Sequence, residues 1–149
     1  MSPSIQQFFT PEEKASITNA IQQAELNTSG EIRVHIESKC KGDVLDRAAD
    51  VFYLLKMDKT ELRNGVLFYL AVNSRHFAII GDRGINAVVP ENFWAEIKEM
   101  MAEHFKAGEF ASGLSKGIEE AGKSLKQHFP YQTDDVNELS DDISFESNN

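Results

Sequence analysis

Between positions 31 and 37 the chain alternates, with Ile32, Val34 and Ile36 on one side and Arg33, His35 and Glu37 on the other. A period of two predicts a half-buried strand whose polar side chains face solvent. Val66 to Val72 is apolar throughout, the pattern of a central strand covered on both faces. After an Asn73-Ser74 turn, Phe77 to Ile80 reads as its hairpin partner. Helical periodicity fills the intervening segments. Thr10-Pro11-Glu12-Glu13 is a capping box with proline at the first helical position, and Ile17, Ala20, Ile21 and Ala24 continue it as an apolar stripe. Leu45, Ala48, Ala49 and Phe52 form a second stripe, ending before Asn64-Gly65. Pro90 opens a third helix carrying Phe93, Ile97, Met100, Met101 and Phe105, and Gly108 breaks it. A fourth carries Phe110, Leu114, Ile118, Ala121 and Leu125, with Gly113 and Gly117 spaced to permit a close approach to a neighbouring element. The predicted order is α-β-α-β-β-α-α, an α/β layered domain around a small mixed sheet.

Pro130 ends this pattern. Residues 1–130 are expected to form one domain, and 131–149 an acidic, disordered tail. The tail holds six acids and no Lys or Arg, so it accounts for six of the nine net negative charges and leaves the body at −3. An acidic surface repels phosphate backbones, which excludes nucleic acid as the expected partner. The single cysteine, Cys40, forms no internal disulfide, and the start MSPSIQQFF lacks the features of a signal peptide. No apolar run approaches the length of a membrane span. These features predict a cytoplasmic monomer without a membrane anchor. Cys40 lies between two lysines and reads as an inert exposed thiol. His35, His76, His104 and His128 show no metal-ligand spacing, and Met57, Met100, Met101 and Trp94 read as packing residues.

Candidate chemistry follows from topology. A helical crossover joins the first two strands, which makes them parallel, and the third returns antiparallel. The starts of strands one and two (Ser29-Gly30-Glu31 and Arg63-Asn64-Gly65) then share a sheet end with the exit of strand three (Gly81-Asp82-Arg83-Gly84) and with the helix start at Pro90-Glu91-Asn92. Glu31, Asp82 and Glu91 would gather there, with Asn64, Ser29 and backbone carbonyls as neutral oxygens. Such donors suit Ca²⁺ or Mg²⁺ rather than zinc. The flanking Gly30, Gly65, Gly81 and Gly84 would let backbone approach an ion. The alternative is that these are only turns: Asp82 and Arg83 an exposed pair, Glu91 a helix-dipole partner, Glu31 an ion-pair partner of Arg33, Arg63 or Arg83.

The motifs SGEIRVHIE, RNGVLFYLAVNSRHFAIIGDRGI, VVPENFW and HFKAGEFASGLSKGIEEAG, in that order, resemble the TPM domain family over roughly Phe8 to Pro130. The resemblance implies a three-layer α/β/α sandwich and a divalent-metal site, described in the family with Ca²⁺ or Mg²⁺. It also implies a link to acid phosphatase activity, known for a plant member. Carried onto this chain, it points to Asp82 and Glu91 as metal ligands, with Glu31 and Asn64 as further positions. Many members have an export signal and a membrane anchor; neither is visible here.

Three functional readings follow. The first is a divalent-metal-binding interaction or accessory domain with a protein partner. The second is a weak metal-dependent phosphatase in which Arg83 or Arg63 holds phosphate, with no catalytic nucleophile identifiable. There is no Cys-x5-Arg loop, no Asp-x-Asp-x-Thr motif and no P-loop. The third is a structural domain whose loops are only turns.

Overall fold

The computed structural model describes residues 5–131, 141 and 143–145. A four-stranded sheet in the order β3-β2-β1-β4 forms its centre. The elements are α1 (Pro11–Glu25), β1 (Glu31–Glu37), α2 (Val44–Leu54), β2 (Gly65–Ala71), β3 (His76–Gly81), α3 (Arg83–Asn86), α4 (Phe93–Lys106), α5 (Phe110–His128) and β4 (Ser144–Phe145). As the crossover requires, β1 and β2 are parallel, in the register Glu31↔Gly65 to Glu37↔Ala71, and β3 returns antiparallel to β2.

Side-chain alternation on β2 builds two cores. Val66, Phe68 and Leu70 join Ile32, Val34 and Ile36 beneath α1, α4 and α5. Leu67, Tyr69 and Ala71 face the opposite way, against Ala48, Val51 and Phe52 of α2. The molecule is therefore a helix–sheet–helix sandwich, and the wholly apolar run in β2 is explained by cover on both faces. Burying one such large aliphatic side chain contributes roughly 1.5–3 kcal/mol. The expected capping box is formed: Glu13 N–H donates to Thr10 Oγ1 at 3.1 Å, and Thr10 N–H to Glu13 Oε1 at 2.9 Å. Gly117 lets α5 lie close to α4 and β2, since a Cβ there would fall 2.5 Å from Met101 Sδ and 3.1 Å from Phe68.

Three features differ from the sequence expectation. The polar face of β1 is not solvated: His35 and Glu37 are buried, because α2 covers that face and brings Arg47 to Glu37. A four-residue helix, α3, forms directly after Asp82, so the following helix begins at Phe93 rather than Pro90. Ser144–Phe145, in the stretch expected to be a disordered tail, pair in parallel with His35 and Ile36 of β1. Ile143 and Phe145 pack on the larger core, and Lys14 Nζ stands 5.5 Å over the Phe145 ring. Positions 132–140, 142 and 146–149 lie outside the described residues. Among the described residues, no helix is long and apolar enough to cross a membrane.

Candidate functional site

The three turns converge as the topology dictates, and backbone hydrogen bonds lace them together. Glu31 N–H donates to Asn64 O at 3.4 Å, Asp82 N–H to Gly65 O at 2.9 Å, and Gly84 N–H to Arg63 O at 2.8 Å. Arg63 has left-handed backbone (φ 52), which turns the chain sharply into β2. Gly84 fits beneath this turn with no space for a side chain: a Cβ there would sit 2.2 Å from Leu62 O and 2.5 Å from Arg63 O. Asn86 and Trp94 fasten the next helix to the same end. Asn86 Nδ2 donates to Gly81 O at 2.8 Å, and Trp94 Nε1 donates to Asn86 Oδ1 at 2.7 Å.

Asp82 stands at the centre, 6% exposed. Its carboxylate caps α3 by accepting from Arg83 N–H at 2.7 Å. It also receives the Arg63 guanidinium in fork geometry, Nε to Oδ2 at 2.7 Å and Nη2 to Oδ1 at 2.9 Å. This hydrogen bond raises the Arg63 pKa above its ordinary value. Arg63 is thus committed to Asp82 and is not turned toward a ligand. Asn64 is 1% exposed, and its amide reaches Ser29 Oγ at 3.4 Å; Glu31 is 3% exposed at the head of β1. Glu91 and Arg83 are exposed, and no described hydrogen bond or ion pair joins Glu91 to Asp82, Asn64 or Glu31. The donors suit a hard cation in kind, offering a buried carboxylate, an amide and carbonyl oxygens. Their number is small: among the described residues, no group of three or more His, Cys, Asp or Glu side chains is placed to hold a metal.

Two residues near this end escaped the sequence reading. Glu25, at the close of α1, accepts from Ile32 N–H at 2.8 Å. Its pKa is pushed up to about 9, first by burial and then by a hydrogen bond shared with the Asp141 carboxyl, with Glu31 adding further repulsion. Glu25 is therefore protonated at neutral pH and ties the tail to the first helix. No spacing signals this, since the two residues stand far apart in the chain.

A second polar cluster lies at the other end of β1. Glu37 accepts from two Arg47 nitrogens, Nε at 3.1 Å and Nη2, and from Tyr69 Oη at 2.5 Å. Burial favours the neutral acid, but the hydrogen bonds from Arg47, Tyr69 and His35 outweigh it and hold the Glu37 pKa below its ordinary value. The Tyr69 pKa is raised by burial and by its bond to Glu37. Burial lowers the His35 pKa despite the opposite pull of Glu37, so the ring is neutral at pH 7. His35 Nε2 lies 3.2 Å from the ionised Glu37 and must carry the proton; Nδ1 then accepts from Ser144 Oγ at 2.9 Å. The neutral imidazole links the sheet interior to the tail strand.

Comparison with known proteins decides the family. The TPM domain model matches residues 5–124. The chain belongs to the TPM domain family. The NMR structure of BA42 protein, from the psychrophilic bacterium Bizionia argentinensis, is 50% identical, with a TM-score of 0.88. The match covers 96% of this chain and 99% of that one. Two more distant solution structures share the fold. One is the N-terminal domain of cg2496 protein from Corynebacterium glutamicum, 16% identical, with a TM-score of 0.64, over 83% of this chain and 84% of that one. The other is an N-terminal domain from P. gingivalis, 17% identical, with a TM-score of 0.67, over 85% and 83% respectively. Among curated proteins, none matches. This TPM domain therefore has the family's sandwich, with a loop end held together by its own Arg63–Asp82 pair.

Proposed function

We propose that this TPM domain is a binding module whose loop end takes a divalent cation, Ca²⁺ or Mg²⁺, in exchange for the Arg63 guanidinium. The observation that carries the reading is Asp82: a carboxylate 6% exposed, already engaged by a cationic side chain that is itself 28% exposed. Arg63 can turn into water without disturbing either core. Asp82 and Asn64 would then hold the ion, with turn carbonyls as neutral donors. A set with few carboxylates favours Mg²⁺, which keeps several of its waters. A protein partner would engage this same end.

The phosphatase reading has less support. None of the described contacts at this end pairs a hydroxyl with a base: Ser29 Oγ accepts from Asn64, and the Thr28 hydroxyl donates to the carbonyls of Leu125 and Phe129. The test is calorimetric titration of the metal-stripped full chain with Mg²⁺ and with Ca²⁺. Arg63→Gln should bind about tenfold more tightly than wild type, because the internal competitor is gone, and Asp82→Asn should lose binding. Unchanged affinity in both variants would remove the ion from this site.

A further inference from the structure

At the opposite end of the sheet, roughly 20 Å along β2 from the loop cluster, lies a cavity of about 510 Å³. Leu70, Val72, Phe77, Ala102, Phe105 and Phe110 form its walls. This volume falls within the roughly 300–1,000 Å³ typical of small-molecule sites. Phe77 meets Phe105 edge-on with centroids 4.8 Å apart, and Phe105 stacks on Phe110 at 5.2 Å. These three rings are only partly buried, so an apolar occupant would remove more of their surface from water.

Among the described residues, the polar side chains lining the cavity are two exposed cations, Arg75 and Lys106. Neither makes a side-chain hydrogen bond or ion pair among the described residues, although the chain carries a net charge of −9. Lys98 adds a third positive charge, its Nζ 5.4 Å above the Phe77 ring. Two acids stand three residues from Lys106, Glu103 and Glu109; Glu109 is 3.3 Å from His104 Nδ1, and neither is among the described residues lining the cavity. Arg75 has left-handed backbone, φ 56, at the turn into β3. Asn or Gly would occupy that position at less cost, so the turn itself does not call for arginine.

We propose that this cavity binds a medium-chain fatty acid, its acyl chain against the phenylalanine wall and its carboxylate between Arg75 and Lys106. The walls offer an occupant no hydrogen-bonding side chain, so the body of the ligand must be apolar. Two lining cations with no side-chain partner among the described residues favour an anionic head, and a single-chain carboxylate meets both conditions. This inference stands apart from the loop-end cation and uses none of its residues.

The test is a titration of the full chain with sodium octanoate, followed by amide NMR shifts, with 1-octanol as the uncharged control. Saturable shifts confined to Phe77, Ala102, Phe105, Gly108 and Phe110 are expected. Octanol and the Arg75→Asn/Lys106→Gln double variant should each bind about tenfold more weakly, the loss expected for one charge-assisted contact. Asn suits the left-handed turn, and Lys106→Gln alone, on an exposed helix position, should still weaken binding by about threefold. Three outcomes would overturn the proposal: scattered or non-saturating shifts; equal binding of octanol or of the double variant; or shifts at these residues that follow protein concentration without octanoate, which would assign the trough to a second copy of the chain.

Discussion

Replacing Glu25 by Gln should stabilise the protein above neutral pH. In the folded chain Glu25 holds a proton up to about pH 9, against an ordinary value of 4.5. Between these values the native state binds one proton more than the unfolded state, so stability falls as pH rises, at up to about 1.4 kcal/mol per unit. The contribution is full below the unfolded pKa and gone once pH passes about 9. Glu25 and its partner Asp141 each retain some solvent contact, so about half of that slope is realistic. Gln is the shape of the protonated acid: its oxygen can accept from Ile32 N–H, and its amide can donate to Asp141 without titrating. In urea unfolding at pH 7 and pH 8.5, wild type should lose about 1 kcal/mol relative to Glu25→Gln over that interval. The lowered pKa of His35 makes its own contribution mainly below pH 6.5, outside this window. If the two stability curves run parallel from pH 7 to 8.5, Glu25 does not carry the raised pKa and the proton shared with Asp141 is not what holds the tail.

Two further outcomes follow from the packing. Gly84→Ala should destabilise by about 1–3 kcal/mol, because the added Cβ meets the backbone oxygens of Leu62 and Arg63, which cannot rotate away; a shift in the urea midpoint reads this, and an unchanged midpoint would mean the turns are not rigidly laced. Glu37→Gln should cost about 2 kcal/mol, below the 3–5 expected for a fully buried pair because Arg47 can reach water. The same variant should lower the His35 pKa further, read from the ring-proton shifts against pH, and a rise would show that Glu37 is not its counter-charge.

The fold was legible wherever periodicity and topology agree. A capping box, one alternating strand, one continuous apolar strand and a short turn determine the order of elements and the end at which the loops meet. What escaped the sequence depends on partners distant along the chain. His35 and Glu37 alternate like solvent-facing residues, yet α2 brings Arg47 over Glu37 and β2 sets Tyr69 beside them. Asp82 and Arg63 each read as potential ligand contacts, and their ion pair exists only because a left-handed turn and a helix start are apposed. Ser144–Phe145 lie in a segment whose acidity predicts disorder, but Ile143 and Phe145 find apolar cover, and Glu25 offers Asp141 a proton rather than a repelling charge.

The two sheet ends differ in how their polar groups are engaged. At the loop end the turns bond to one another, and the central carboxylate already holds an internal cation, so a ligand there must displace something and affinity is limited by that exchange. At the other end, the phenylalanines are partly exposed and two cations have no side-chain partner among the described residues. Net binding free energy is what remains after existing contacts are broken, so a site whose groups lack internal partners starts with the smaller cost. On that argument, if both proposed ligands bind, the apolar anion should bind by simple addition and the divalent cation by competition. Octanoate affinity should then be indifferent to Arg63→Gln, while cation affinity responds to it.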